Sequence, residues 1–171
     1  MPAERRLESG GLVAAGREAC CLCLTLQGMH NCGMDLASDE RGGKAMHRAS
    51  CLCGAVRIEV AGALNPPDAC HCTQCRKQSG HYWASTDVMR SAVTVHGAEN
   101  LTWHQSSDKV RRGFCATCGS FLFWDPIKRD KIAIAMGAFD APTDVRLAKH
   151  IFVAHKGDYY DIADGVPQNA E

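Results

Sequence analysis

Three groups of closely spaced cysteines constrain this chain more than any other feature. They are Cys51-x-Cys53-Gly54, Cys70-x-Cys72-x-x-Cys75 and Cys115-x-x-Cys118-Gly119. Two cysteines on one tight turn supply half of a tetrahedral site, because zinc takes four thiolates and the turn aims both sulfurs at one point. The glycine after each outer pair lets the backbone turn there. Joined together, the outer pairs make Cys51, Cys53, Cys115 and Cys118 a closed, structural zinc site. That site ties the start of a domain to a hairpin more than sixty positions later. Cys70, Cys72 and Cys75 are left over. Three protein ligands leave one coordination position open, the arrangement of catalytic zinc. Spacing alone leaves two readings of this group: an open centre, or one closed by His71, His81 or another side chain. The cofactor expected is zinc, two ions per chain.

The chain has 171 residues and 11 cysteines, and an odd number cannot close entirely into internal disulfides. Whether these thiols are reduced turns on export. The apolar run Ala19-Cys-Cys-Leu-Cys-Leu-Thr-Leu26 falls short of the ~20 residues of a membrane helix. Glu4, Glu8 and Glu18 interrupt the basic start that a secretory signal needs. We therefore expect a cytoplasmic protein with reduced, metal-binding cysteines and no membrane partner. Lysine plus arginine equals aspartate plus glutamate at 19 each, which argues against a dedicated nucleic-acid binder. The sequence carries no signal of oligomeric state.

Residues 1–45 differ from the rest. They contain scattered glycines, no aromatic residue and no sustained apolar period, so they have little to bury. We expect an N-terminal extension that is flexible, or that lies upstream of the true start at Met46. The zinc-binding domain is expected over 46–171. Within it, Ala55–Val60 alternates apolar and polar residues as a half-buried strand does. Further β-prone runs are 82–86, 93–96, 101–104, 109–114, 120–124, 131–136 and 150–153. A helical turn fits 74–78, and Asp140–Asp144 reads as a loop. Short strands this closely spaced predict a mainly β fold, a sandwich or an open barrel.

These residues resemble the glutathione-dependent formaldehyde-activating enzyme family, which also includes centromere protein V. The resemblance is carried by Cys51-Leu-Cys-Gly54, Cys70-His-Cys-Thr-Gln-Cys-Arg-Lys-Gln-Ser-Gly80, Gly113-Phe-Cys-Ala-Thr-Cys-Gly119 and Asp164-Gly-Val-Pro167. It runs from about Ser50 to Pro167 and leaves out Cys20, Cys21, Cys23 and Cys32. It implies an Mss4-like fold of β-hairpins around zinc. It also implies structural zinc on the outer cysteine groups and catalytic zinc on the middle one. The activity implied is formation or cleavage of the adduct between glutathione and formaldehyde, that of a carbon–sulfur lyase. The partners implied are a small thiol and an aldehyde.

Metal coordination deprotonates a thiol, so such a centre can present a substrate sulfur or release it. Proton transfer at the adduct oxygen calls for an acid or base, and His81 and His71 are the nearby candidates. Each is otherwise a loop histidine held by hydrogen bonds. Arg76 and Lys77 can receive substrate carboxylates, or simply face solvent. Tyr82 and Trp83 can wall the pocket, or pack in the core. The competing reading of the whole chain is a zinc-stabilised binding module without chemistry.

Overall fold

A computed structural model describes residues 45–171. The expected extension over 1–45 therefore lies, but for Ala45, outside the described residues. Ten strands and one helix follow in order: β1 (Met46–Ser50), β2 (Arg57–Ala61), β3 (Asp68–Cys70), α1 (Thr73–Ser79), β4 (Trp83–Met89), β5 (Val93–His96), β6 (Leu101–Ser107), β7 (Val110–Cys115), β8 (Phe121–Pro126), β9 (Lys131–Ala135) and β10 (Lys149–Ile151). The mainly β expectation holds. Every strand read from the sequence is present, and α1 extends the expected turn by one residue at each end. Two strands were not foreseen. β1 is made of Met-His-Arg-Ala-Ser, a run with little β preference. It becomes a strand because β2 supplies its partner over five paired positions. β3 has three residues, too few to show a period.

The strands form two sheets. One has the order β1-β2-β5, the other β10-β3-β4-β9-β8-β7-β6. Strands β6 and β10 are the ends of the larger sheet, which does not close on itself among the described residues. The smaller sheet packs Ala49, Ile58 and Val60 against Val88, Phe123, Ile132 and Ile134 of the larger one. Burial of each large apolar side chain here contributes about 1.5–3 kcal/mol. The result is a sandwich whose core lies between the sheets.

The other face of the large sheet carries the site. Cross-strand partners in a sheet point the same way. Cys70 pairs with Trp83 and Asp87 with Ala133, while Trp124 pairs with both Ala133 and Arg112. These side chains therefore share one surface. β9 shows how one strand serves both faces: Ile132 and Ile134 fill the sandwich core, and Ala133 and Ala135 face the other way. The small alanines leave room on the site face. On β8 an irregular register lets Leu122 and Phe123 both join the sandwich core, while Phe121 and Trp124 pack on the site face. A bulge re-aims side chains in this way.

The edge strand β10 is covered. His150 donates its backbone N–H to Pro167 O at 2.8 Å and accepts from Asn169 N–H at 2.8 Å. The C-terminal segment thus blunts an edge that would otherwise present unpaired backbone groups.

Candidate functional site

The outer cysteine groups meet as two matching turns. In the first, Gly54 N–H donates to Cys51 O at 3.0 Å and Cys51 N–H to Val56 O at 3.0 Å. In the second, Gly119 N–H donates to Cys115 O at 2.9 Å and Cys115 N–H to Ser120 O at 3.0 Å. Gly54 and Gly119 have φ of 75° and 76°, a left-handed backbone that a side chain would strain. Cys51 Sγ lies 3.5 Å from Cys53 Sγ, and Cys53 Sγ 3.8 Å from Cys115 Sγ. Thiolates around tetrahedral zinc at 2.3 Å stand about 3.8 Å apart, so the four sulfurs fit a closed centre. Ser120 stitches the turns together. Its hydroxyl accepts from Leu52 N–H at 3.0 Å and sits 3.3 Å from Cys118 Sγ. Hydrogen bonds from the Ser120 hydroxyl and backbone hold the Cys118 thiol down to about 5.

The middle group is assembled by β3 and α1. Cys70 ends β3, Cys72 caps α1 by accepting from Cys75 N–H, and Cys75 is the buried residue of that helix. Gly80, at φ 84°, ends the helix with its N–H on Arg76 O. The sulfurs of Cys70, Cys72 and Cys75 lie within 4.8 Å of one another. The described residues add no histidine nitrogen or carboxylate to that cluster. Hydrogen bonding from Cys70 holds the Cys75 thiol down to about 6, burial opposes this, and the Arg112 guanidinium adds to it. Cys70 is correspondingly pushed up, by Cys75 and by burial. The group suits a cation that replaces the shared proton. Both clusters could hold metal ions, and none of their cysteines is in a disulfide.

A cavity of about 830 Å³ opens on the middle group. Cys70, Cys72 and Cys75 all line it, with Trp83, Trp124 and Arg112 of the sheet. Its apolar walls also include Ala133, Ile151 and Phe152, and its charged positions include Asp68, Lys149, Arg129 and Lys131. Size and mixed lining match a small-molecule site. Arg112 is buried, at 4% exposure. Its Nη1 reaches Cys75 Sγ at 3.7 Å, and its Nη2 donates to Gln74 Oε1 at 2.9 Å.

A profile of the glutathione-dependent formaldehyde-activating enzyme family matches residues 46–155. The chain belongs to that family. An uncharacterized lyase of Schizosaccharomyces pombe is 25% identical to it over 123 residues, covering 69% of this chain and 86% of that protein. A crystal structure of a Rhodobacter sphaeroides protein aligns at a TM-score of 0.49 with 27% identity, over 57% of this chain and 91% of that one. The lyase class expected from the sequence is supported by the family and by the name of the yeast relative. No helix among the described residues is long and apolar enough to cross a membrane.

The remaining residues singled out in the sequence fall in different places. Trp83 lines the cavity and stacks on Phe121 at 4.5 Å. Arg76 and Lys77 lie on α1 and are not among the cavity walls; nor are His71, His81 and the exposed Tyr82. Tyr82 instead joins a cluster of rings with His71, His81, Tyr159 and Tyr160. His71 is fully buried. Its Nε2 lies 2.8 Å from His150 Nδ1, its Nδ1 bonds the Tyr160 hydroxyl, and His150 Nε2 reaches Asp164 Oδ2 at 2.9 Å. The protons of this chain follow from its anionic end. Asp164, held down first by the bond from His150, accepts from His150 Nε2–H. With His150 neutral, its Nδ1 accepts from His71 Nε2–H, and His71 Nδ1 accepts from Tyr160 O–H. Both His71 nitrogens are thus committed, and burial with the nearby His150 pushes its pKa down to about 4. His81 Nδ1 meets the Tyr159 hydroxyl at 3.0 Å.

Sequence reasoning missed Arg112, Ser120 and the pair His150–Asp164. Ser120 had a local signal, since it follows Gly119 in the second turn. Asp164 stood inside a motif of the family, but its partner is fourteen residues away in sequence.

Proposed function

We propose that this protein is a zinc-dependent carbon–sulfur lyase that forms or cleaves an adduct between a small glutathione-like thiol and an aldehyde. The observation that carries this reading is the cavity of about 830 Å³ into which all three thiols of the middle group open. Cys70, Cys72 and Cys75 would hold the zinc of the reaction, and Cys51, Cys53, Cys115 and Cys118 a structural one, two ions per chain. When bound, the first zinc would lower the pKa of a substrate thiol so that its sulfur is available as a thiolate at neutral pH.

The protein's own groups do the rest. Trp83 and Trp124 give the thiol an apolar wall and exclude water from the sulfur. Lys149, which lines the cavity, receives a substrate carboxylate, while Arg76 and Lys77, on α1 outside the cavity walls, would receive carboxylates of a part of the substrate that extends beyond it. His81 would serve as proton donor and acceptor for an adduct oxygen that reaches it from the cavity, whose walls it does not form, through the Nε2 that Tyr159 does not engage. His71 takes part by holding Tyr160 in the same ring cluster. The domain over 46–171 acts in the cytoplasm, where the thiols stay reduced.

Metal content and thiol binding test this together. Cys70→Ala should lose one ion of two and keep its folded circular dichroism, while Cys115→Ala should unfold, because a structural ion contributes folding free energy directly. Glutathione should bind the intact protein and not the Cys70→Ala variant. Equal unfolding of both variants, or no binding at millimolar glutathione, would sink the reading.

A further inference from the structure

Arg112 is a buried cation without a carboxylate. Its exposure is 4%. Its Nη1 points at Cys75 Sγ and its Nη2 at the neutral amide oxygen of Gln74, while its Nε has no hydrogen-bond partner. Phe121 lies under the guanidinium at 5.8 Å. The neighbouring Arg111 shows the contrast: it bonds the carboxylate of Asp125 at 2.8 Å. A buried charge is costly unless an opposite charge compensates it. The anionic group in contact with Arg112 is the three-thiolate cluster. A dication on three thiolates carries a net charge of −1, and Arg112 brings the unit to zero.

We propose that Arg112 is a positioning residue that acts through Cys75 to make the open coordination position of the middle group selective for an anionic fourth ligand. This rests on the reading of that group as an open metal centre and deepens it. Without Arg112, an incoming thiolate takes the unit from −1 to −2 in a partly enclosed cavity. With Arg112, the step is from 0 to −1. The difference bears on charged ligands and not on neutral ones. The guanidinium also withdraws charge from Cys75, leaving the metal a better acceptor for the incoming sulfur. Register places Arg112 for this role: it sits opposite Trp124 in the sheet, on the face that lines the cavity.

The cobalt-loaded protein tests the proposal. The bands of the middle group are identified as those missing from Cys70→Ala. Azide serves as the anionic probe, imidazole as the neutral one, and glutathione is titrated beside them. In Arg112→Met the azide dissociation constant should rise about tenfold or more while that of imidazole stays within about twofold. The sulfur-to-cobalt charge-transfer band should move to lower energy, as hydrogen bonding to Cys75 Sγ is lost. Arg112→Lys should recover azide affinity in part. Should Arg112→Met fail to fold, Arg112→Gln replaces it with the same expectations. Parallel loss of azide and imidazole, no loss of either, or the absence of any cobalt band tied to Cys70 would overturn the proposal. If glutathione does not bind the intact protein while azide and imidazole still diverge, the thiol reading falls and the role of Arg112 stands.

Discussion

His71 Nε2 and His150 Nδ1 are 2.8 Å apart, joining the residue between Cys70 and Cys72 to an edge strand 79 positions later in the chain. Both rings are buried, and the line from Tyr160 to Asp164 satisfies every ring nitrogen in it. His150→Leu would leave the buried His71 Nε2 without its hydrogen-bond partner. Leaving a buried polar group unpaired costs about 1–3 kcal/mol. We expect a loss of stability in that range by urea denaturation of the metal-loaded protein. An unchanged midpoint would mean that water replaces His150.

Asp125 is fully buried and receives Arg90 and Arg111, the latter at 2.8 Å. Burial works against its charge, yet the two guanidinium groups hold its carboxyl below the usual carboxylate range. A lowered folded-state pKa contributes stability that is present above the unfolded value, near 4, and is lost as pH falls through the folded one. Asp125→Ala should cost about 3 kcal/mol at pH 7, the worth of two charge-assisted bonds offset by the relief of burial. The deficit relative to the parent protein should shrink below pH 4. Denaturation curves between pH 3 and 7 measure both; a deficit independent of pH would show that packing, not charge, is lost.

Ser120 holds Leu52 N–H and Cys118 Sγ with one hydroxyl, so it braces both halves of the four-thiol group. Residues that orient ligands in this way commonly change metal affinity by about 10–100-fold. Loaded with zinc, Ser120→Ala should release the ion of the four-thiol group to a chelator faster by a factor in that range, with the middle group unaffected. Equal release rates would place the bracing elsewhere.

Ala133 faces the cavity from β9, paired with Asp87 and Trp124. Ala133→Leu should fill part of the cavity while both cysteine groups keep their ions. Glutathione binding should weaken about tenfold or more, the cost of overpacking being about 1–3 kcal/mol. Isothermal titration with metal analysis on the same sample separates the two. Undiminished binding would move the substrate out of this cavity.

Much of the fold could be read in advance because its signals are short-range. Alternation marked β2, the paired glycines marked the two turns, and the run after Cys72 marked α1. β1 and β3 escaped because one has a weak composition and the other is three residues long; both exist through their partners. The site was half legible for the same reason. Seven cysteines declared themselves by spacing. The cavity did not, since its walls come from β3, α1, β4, β6, β7, β8, β9 and β10 at once. Arg111 and Arg112 look alike in sequence. Strand alternation sends one to Asp125 and the other to Cys75.

By itself the sequence determined the division of these cysteines into four and three, and the mainly β character of the domain. Turn chemistry and period are local properties, written within a few residues of one another. Only the tertiary structure decided that Arg112 would meet Cys75 across 37 positions, that His71 would be tied at both nitrogens, and that Ala133 would leave space beside the thiols. Those outcomes depend on how distant segments meet, and a one-residue slip in strand register would turn Arg112 and Ala133 to the opposite face of the sheet.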